Sequence, residues 1–154
     1  SVDAAYTGKD GAEVGWQAVR EAGDGPLGSE PVDLLQFFPE EQNAVGYAQS
    51  GIVSDRERDA WLYLGLEELG RIYVGWSEEL FEVYLNGERI FSGNAHECGR
   101  RDQWKFDVHL EKGVNRILVK YLRSRAEGWN LSLRVGDRWG IPITDGISYG
   151  WRGQ

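Results

Sequence analysis

The stretch Phe81 to Phe91, FEVYLNGERIF, limits what this chain can fold into more than any other. Phe81, Val83 and Leu85 alternate with Glu82 and Tyr84, the pattern breaks at Asn86-Gly87, and Ile90 and Phe91 resume it on the far side. A type I′ turn needs positive φ at both central positions, and Asn-Gly tolerates that best, so the spacing predicts a β-hairpin. The segments around it share its period of two. Ala44 to Val53 and Ala60 to Leu66 read as strands, the second with Leu62, Leu64 and Leu66 opposed to Trp61 and Tyr63. Ile72 to Trp76 reads as a strand as well. So do Trp104 to Leu110, with Phe106, Val108 and Leu110 on one side, and Asn115 to Leu122, with Ile117, Val119 and Tyr121 on one side. Leu131, Leu133 and Val135 form the last clear alternation.

Weaker signals complete the chain. Residues 1–12 show no period and are expected to form a loose leader. Val14 to Val19 suits a first short strand, Pro31 to Phe38 a buried irregular or extended segment, and the part from Gly136 onward is expected to be mostly irregular. The total is about nine strands without a helix. The 21 glycines, seven Trp, seven Tyr and absence of Met suit an all-β domain with many turns. Alternating apolar and polar positions mean that each sheet keeps one wet face, which favours an antiparallel two-sheet β-sandwich of jelly-roll type over a closed barrel. At 154 residues the expectation is one domain, 1–154. Because it starts at Ser1 with no signal-like segment, it reads as a piece excised from a larger multidomain protein.

A formal charge of -8 at pH 7 argues against nucleic acid or an anionic membrane as partner and favours neutral ligands. No apolar run approaches the length of a membrane span. Cys98 is the single cysteine, so no internal disulfide can form. Catalysis is not expected. A glycosidase needs carboxylates set across a bond, and Glu78 and Glu79 are neighbours that point apart in extended chain. Neither His96 nor His109 lies in a nucleophile signature. His96 and Cys98, without a second pair, make a weak zinc pattern. A structural calcium ion held by loop carboxylates and carbonyls fits the composition better, but no cofactor is required.

The residues best suited to a ligand are aromatic and lie at strand ends. Sugars present apolar C-H faces and polar edges, so a site for them needs a flat ring beside fixed hydrogen-bonding groups. Trp76, Trp104, Trp129, Trp139 and Trp151 lie at strand ends or in loops, whereas Trp16 and Trp61 fall within strands. The leading cluster joins Trp76, Glu78 and Glu79 to Asn94, His96, Arg100, Arg101, Asp102 and Trp104, if the long loop after the hairpin folds back. A second cluster combines Arg123, Arg125, Trp129 and Asn130 with Trp139. The competing interpretation is a solvated charged rim around packed indoles.

The run VGWSEELFEVYLNGERIFSG, then VHLEKGVNRILVKYL and EGWNLSLRV, resembles the galactose-binding-domain-like jelly rolls attached to secreted polysaccharide-active enzymes. The earlier LLQFFPEEQNAVGYAQSGIVS fits the first half of that family, so the resemblance spans roughly Val32 to Ile143. The corner Ser77-Glu78-Glu79-Leu80 departs from the family's Ser-Asp-Asp-Gly, so a ligand or ion contact there does not follow from the resemblance. The resemblance implies an extracellular, cell-surface or periplasmic scaffold. Together with the aromatics, it points to a non-catalytic carbohydrate-binding module that takes a polysaccharide or oligosaccharide and targets a linked catalytic domain. The alternative is a structural or protein-interaction accessory domain with no sugar site of its own.

Overall fold

At Asn86 and Gly87 the backbone takes φ values of 52° and 87°, the two successive positive angles of a type I′ turn, between strands β6 (Leu80–Leu85) and β7 (Glu88–Asn94). Phe81, Val83 and Leu85 all face inward and are buried. The register shifts between Val83 and Tyr84, so that Val83 lies opposite Phe91 but Tyr84 opposite Arg89. Ile90 is the extra residue of a β-bulge, which is why the adjacent Ile90 and Phe91 can both pack against the core despite the two-residue period.

The computed structural model describes residues 4–8, 11–17, 32–36, 44–67, 80–94, 102–123 and 130–150. Besides the hairpin they contain β1 (Ala5–Thr7), β2 (Glu13–Gly15), β3 (Val32–Asp33), β4 (Ala44–Ser54), β5 (Arg58–Glu67), β8 (Trp104–Leu110), β9 (Gly113–Arg123), β10 (Asn130–Gly136) and β11 (Ile147–Tyr149). A 3-10 turn, Leu34–Gln36, follows β3. All strand pairs are antiparallel. A four-stranded sheet runs β3-β10-β5-β8 and a five-stranded sheet β11-β4-β9-β6-β7, with β1 and β2 forming a separate two-stranded hairpin. Among the described residues no helix is long and apolar enough to cross a membrane.

One core lies between the two larger sheets. Leu62 and Leu64 of β5, Leu110 of β8 and Val135 of β10 meet Ile52 of β4, Phe81 and Val83 of β6 and Ile117 and Val119 of β9. Aromatic contacts cross the interface. The Phe81 ring lies 4.7 Å from Trp104 and Phe91 lies 4.9 Å from Phe106, with Phe81 and Phe91 themselves stacked at 5.0 Å. The expected all-β antiparallel sandwich is therefore the observed architecture.

Two polar locks hold the ends. Asn115 is fully buried, accepts the Glu111 N–H at 2.9 Å and the Asn86 side-chain amide at 3.1 Å, and donates to the Glu111 carbonyl at 2.8 Å. Asn86 in turn accepts the Arg116 N–H at 2.8 Å, so the hairpin turn is tied to the β8–β9 turn. Elsewhere Arg56 reaches Asp145 at 2.9 Å, Arg58 binds Asp55 and the Asp145 carbonyl, and the Asp55 N–H bonds to the Gly146 carbonyl. Gly146 is required there, since its φ is +68° and a Cβ would run into the Asp55 carboxylate.

The observed elements differ from the sequence expectation at the chain's two ends. Part of the supposed leader pairs with the next segment, Tyr6 opposite Val14. The segment after Gly136 is not wholly irregular: Ile147 is buried, and β11 extends the five-stranded sheet beside β4. The strand expected at Ile72 to Trp76 lies outside the described residues.

Candidate ligand-binding site

Tyr63 lies on the outer face of β5, where alternation would leave it wet, yet it is only 6% exposed. Its cover comes from β10. Arg134 sits directly across from it in register, with the guanidinium carbon 4.4 Å from the ring centroid. That guanidinium is gripped by Asp102, with Nε donating at 2.9 and 3.0 Å and Nη2 at 2.6 Å. Asp102 stands just before β8 with a left-handed φ of 57°, a conformation that an Asp side chain tolerates. The remaining guanidinium nitrogen, Nη1, donates to the Gly140 carbonyl at 3.0 Å.

These contacts fix the base of the loop between β10 and β11, and the loop fixes its own shape. The Tyr63 hydroxyl donates to the Asp137 carbonyl at 2.6 Å. The Asp137 carboxylate accepts the Trp139 N–H at 2.8 Å and the Ile141 N–H at 2.9 Å. The Asp137 N–H bonds back to the Ile141 carbonyl, and the Gly140 N–H closes the turn onto the Asp137 carbonyl at 3.1 Å, with Gly140 at φ 89°. At the tip stands Trp139, 74% exposed, with the Arg138 guanidinium carbon 4.4 Å from its ring centroid. A turn closed by its own hydrogen bonds thus holds an exposed indole with a cation against one face. Ile141 beside it is also exposed.

The sequence-derived candidates are distributed differently. Trp104 opens β8, and its ring is partly buried against Phe81, so its surroundings are those of the core margin. Asp102 is bound to Arg134 and acts as a brace for the Trp139 loop. Asn94 and Asn130 are placed by backbone only, Asn94 opposite Leu80 at the end of β7 and Asn130 opposite Glu67 and Asp33 at the start of β10. Trp76, Glu78, Glu79, His96, Arg100, Arg101, Arg125, Trp129 and Trp151 lie outside the described residues, and Arg123 closes β9. Trp61 is partly buried on the outer face of the four-stranded sheet, under the Lys105 ammonium at 5.4 Å.

Asp137, Arg138, Arg134 and Tyr63 were not singled out from the sequence. One signal did exist: Asp137-Arg138-Trp139-Gly140 has Asp first and Gly fourth, the preference of a type I turn. Among the described residues no group of three or more His, Cys, Asp or Glu side chains converges on a metal position. His109 is bracketed by Asp59 at 2.8 Å and Glu57 at 2.8 Å, which occupy both ring nitrogens and raise its pKa above the ordinary value.

The sequence matches no protein-family model and no curated protein. Among solved structures the chain is similar to a family 35 carbohydrate-binding module from an environmental isolate, at 16% identity and a TM-score of 0.51, over 85% of each chain. At that identity the likeness shows a shared fold, in keeping with the two-sheet antiparallel β-sandwich described above.

Proposed function

We propose that the chain is a non-catalytic carbohydrate-binding domain that holds a neutral polysaccharide or oligosaccharide through the Trp139 loop. The observation that carries this reading is the exposed indole on a turn braced by Asp137, Arg134 and Tyr63. An indole presented in this way stacks on the apolar face of a sugar ring, and because the loop is already ordered, little conformational entropy is lost on binding. Arg138 beside the ring adds a donor for sugar hydroxyls. The shared fold with a carbohydrate-binding module supports the same reading. In its parent protein, outside the cell or at its surface, the domain would raise the local concentration of substrate for a linked catalytic domain.

Affinity electrophoresis against soluble β-glucan, galactomannan and arabinoxylan, paired with thermal unfolding, tests this. Retardation by at least one polysaccharide is expected. Trp139→Ala should weaken it roughly tenfold or more, the scale of an aromatic hot spot. The same change should shift stability by no more than about 0.5 kcal/mol, because the side chain is on the surface. A second reading rests on the exposed Ile141 next to Trp139, which would also suit a neighbouring protein domain. No retardation on the whole panel, with Trp139 fluorescence changing when the parent protein's adjoining domain is restored, would select that reading instead.

A further inference from the structure

The outer face of the five-stranded sheet carries a second group of aromatic and polar side chains, on the side of the core away from the Trp139 loop. Two neighbouring rows run across four strands. Tyr47, Lys120, Glu82 and Ser92 lie in register along one, and Gln49, Leu118, Tyr84 and Arg89 along the next. Tyr47 is 50% exposed, and Val45, 46% exposed, continues the apolar surface along β4. The polar groups are already arranged. Glu82 accepts from the Tyr84 hydroxyl at 3.0 Å, from Lys120 at 3.1 Å and from Arg89 at 2.9 Å. These bonds, that of Lys120 first, hold the Glu82 carboxyl below its ordinary range, while the Glu82 bond holds the Lys120 ammonium above its own.

We propose that this face is a second carbohydrate-binding surface, on which Tyr47 and Tyr84 supply rings and Glu82, Lys120, Gln49 and Arg89 supply hydrogen bonds, so that one domain bridges two glycan chains. The inference rests on the function proposed above and extends it to cross-linking. Strand spacing and rise put Tyr47 and Tyr84 roughly 12 Å apart at the backbone, longer than one sugar ring, so the occupant is an extended chain rather than a monosaccharide. A second protein copy fits the face less well. Protein interface centres are depleted in charge, and sealing Glu82, Lys120 and Arg89 away from water would cost more than the two tyrosines return. A glycan keeps those groups hydrogen-bonded to hydroxyls and water. The Trp139 loop is anchored on the outer side of the four-stranded sheet through Tyr63 and Arg134, whereas these rows lie on the outer side of the five-stranded sheet, so the two would engage separate chains.

The test compares wild type, Trp139→Ala, the double variant Tyr47→Ala/Tyr84→Ala, and all three substitutions together, on whichever of β-glucan, galactomannan or arabinoxylan retards the wild type. Either face alone should retain binding about tenfold weaker or more, through lost multivalency, and only the triple variant should run as if no ligand were present. Wild type should also make the polysaccharide solution turbid, and neither partial variant should. Lys120→Gln, which leaves both rings in place, provides a check if the tyrosine variant unfolds, and should lower retardation and turbidity in the same direction. If Trp139→Ala alone abolishes retention, or the tyrosine and Lys120 variants behave as wild type, this inference falls and the single-site function stands. If no polysaccharide retards the wild type, both fall. Sedimentation showing a wild-type dimer that Tyr47→Ala converts to monomer would replace the glycan on this face with a second copy.

Discussion

Trp104 and Trp139 show how far a single residue can be interpreted from its neighbours in sequence. Both border polar loops, yet Trp104 lies against Phe81 at the core margin and Trp139 stands in solvent. The Asp-x-x-Gly pattern marks a turn at Trp139 but does not tell whether the ring is covered, because that depends on contacts from elsewhere: Phe81 on another strand packs against Trp104, whereas Trp139 has its neighbour Arg138 beside it. His109 was legible as an outward-facing strand position, but its two carboxylate partners were not. Asp59 first and Glu57 second raise its pKa above the usual value of 6.5. A group whose folded pKa is raised contributes stability that is fully present below the unfolded pKa and lost as pH rises through the folded one. The fold is therefore expected to lose a small increment of stability as pH rises above about 6.5 and through the raised folded pKa, and His109→Gln should flatten that segment of the profile. Urea midpoints across that range, with an NMR titration of the two histidines, check this. A wild-type profile no steeper than that of the variant would contradict it.

Among the elements, the hairpin and β8, β9 and β10 were readable from alternation alone, since each has one face on the core and one in water. Short elements were not. β11 has only three residues, and its place depends on pairing with β4 and on the Tyr149 hydroxyl accepting the Val135 N–H at 2.8 Å, both contacts between distant parts of the chain. The loop between β10 and β11 belongs to the same class, held from outside by Asp102 through Arg134. Asp102→Ala would leave a largely buried guanidinium without its carboxylate and is expected to cost roughly 1–3 kcal/mol. It should also loosen the turn, so that Trp139 fluorescence anisotropy falls and polysaccharide retardation weakens. Unchanged anisotropy in a folded Asp102→Ala protein would show that the turn holds itself through Asp137 alone. Arg134→Lys should behave similarly, because an ammonium cannot reproduce the two-pronged contact.

For the whole molecule, the two sheets share one core, and Phe81 is where their aromatic contacts meet, touching Phe91 within its own sheet and Trp104 across the interface. Phe81→Ala is expected to cost about 3–5 kcal/mol, with circular dichroism and tryptophan fluorescence still reporting one unfolding transition. Separate transitions for the two probes would mean that the sheets unfold independently. The strand period, the Asn-Gly turn and the all-β class are legible in the residues alone, because these follow from backbone sterics and from burying one face of each strand. Which indole is swallowed and which is displayed, which carboxylate braces a loop, and the sharing of one surface by Tyr47, Lys120, Glu82 and Tyr84 emerge from the folded arrangement. Those outcomes depend on partners far apart in the chain, brought together by strand order, which local periodicity does not give, and by register, which it sets only within a hairpin or as a choice of face.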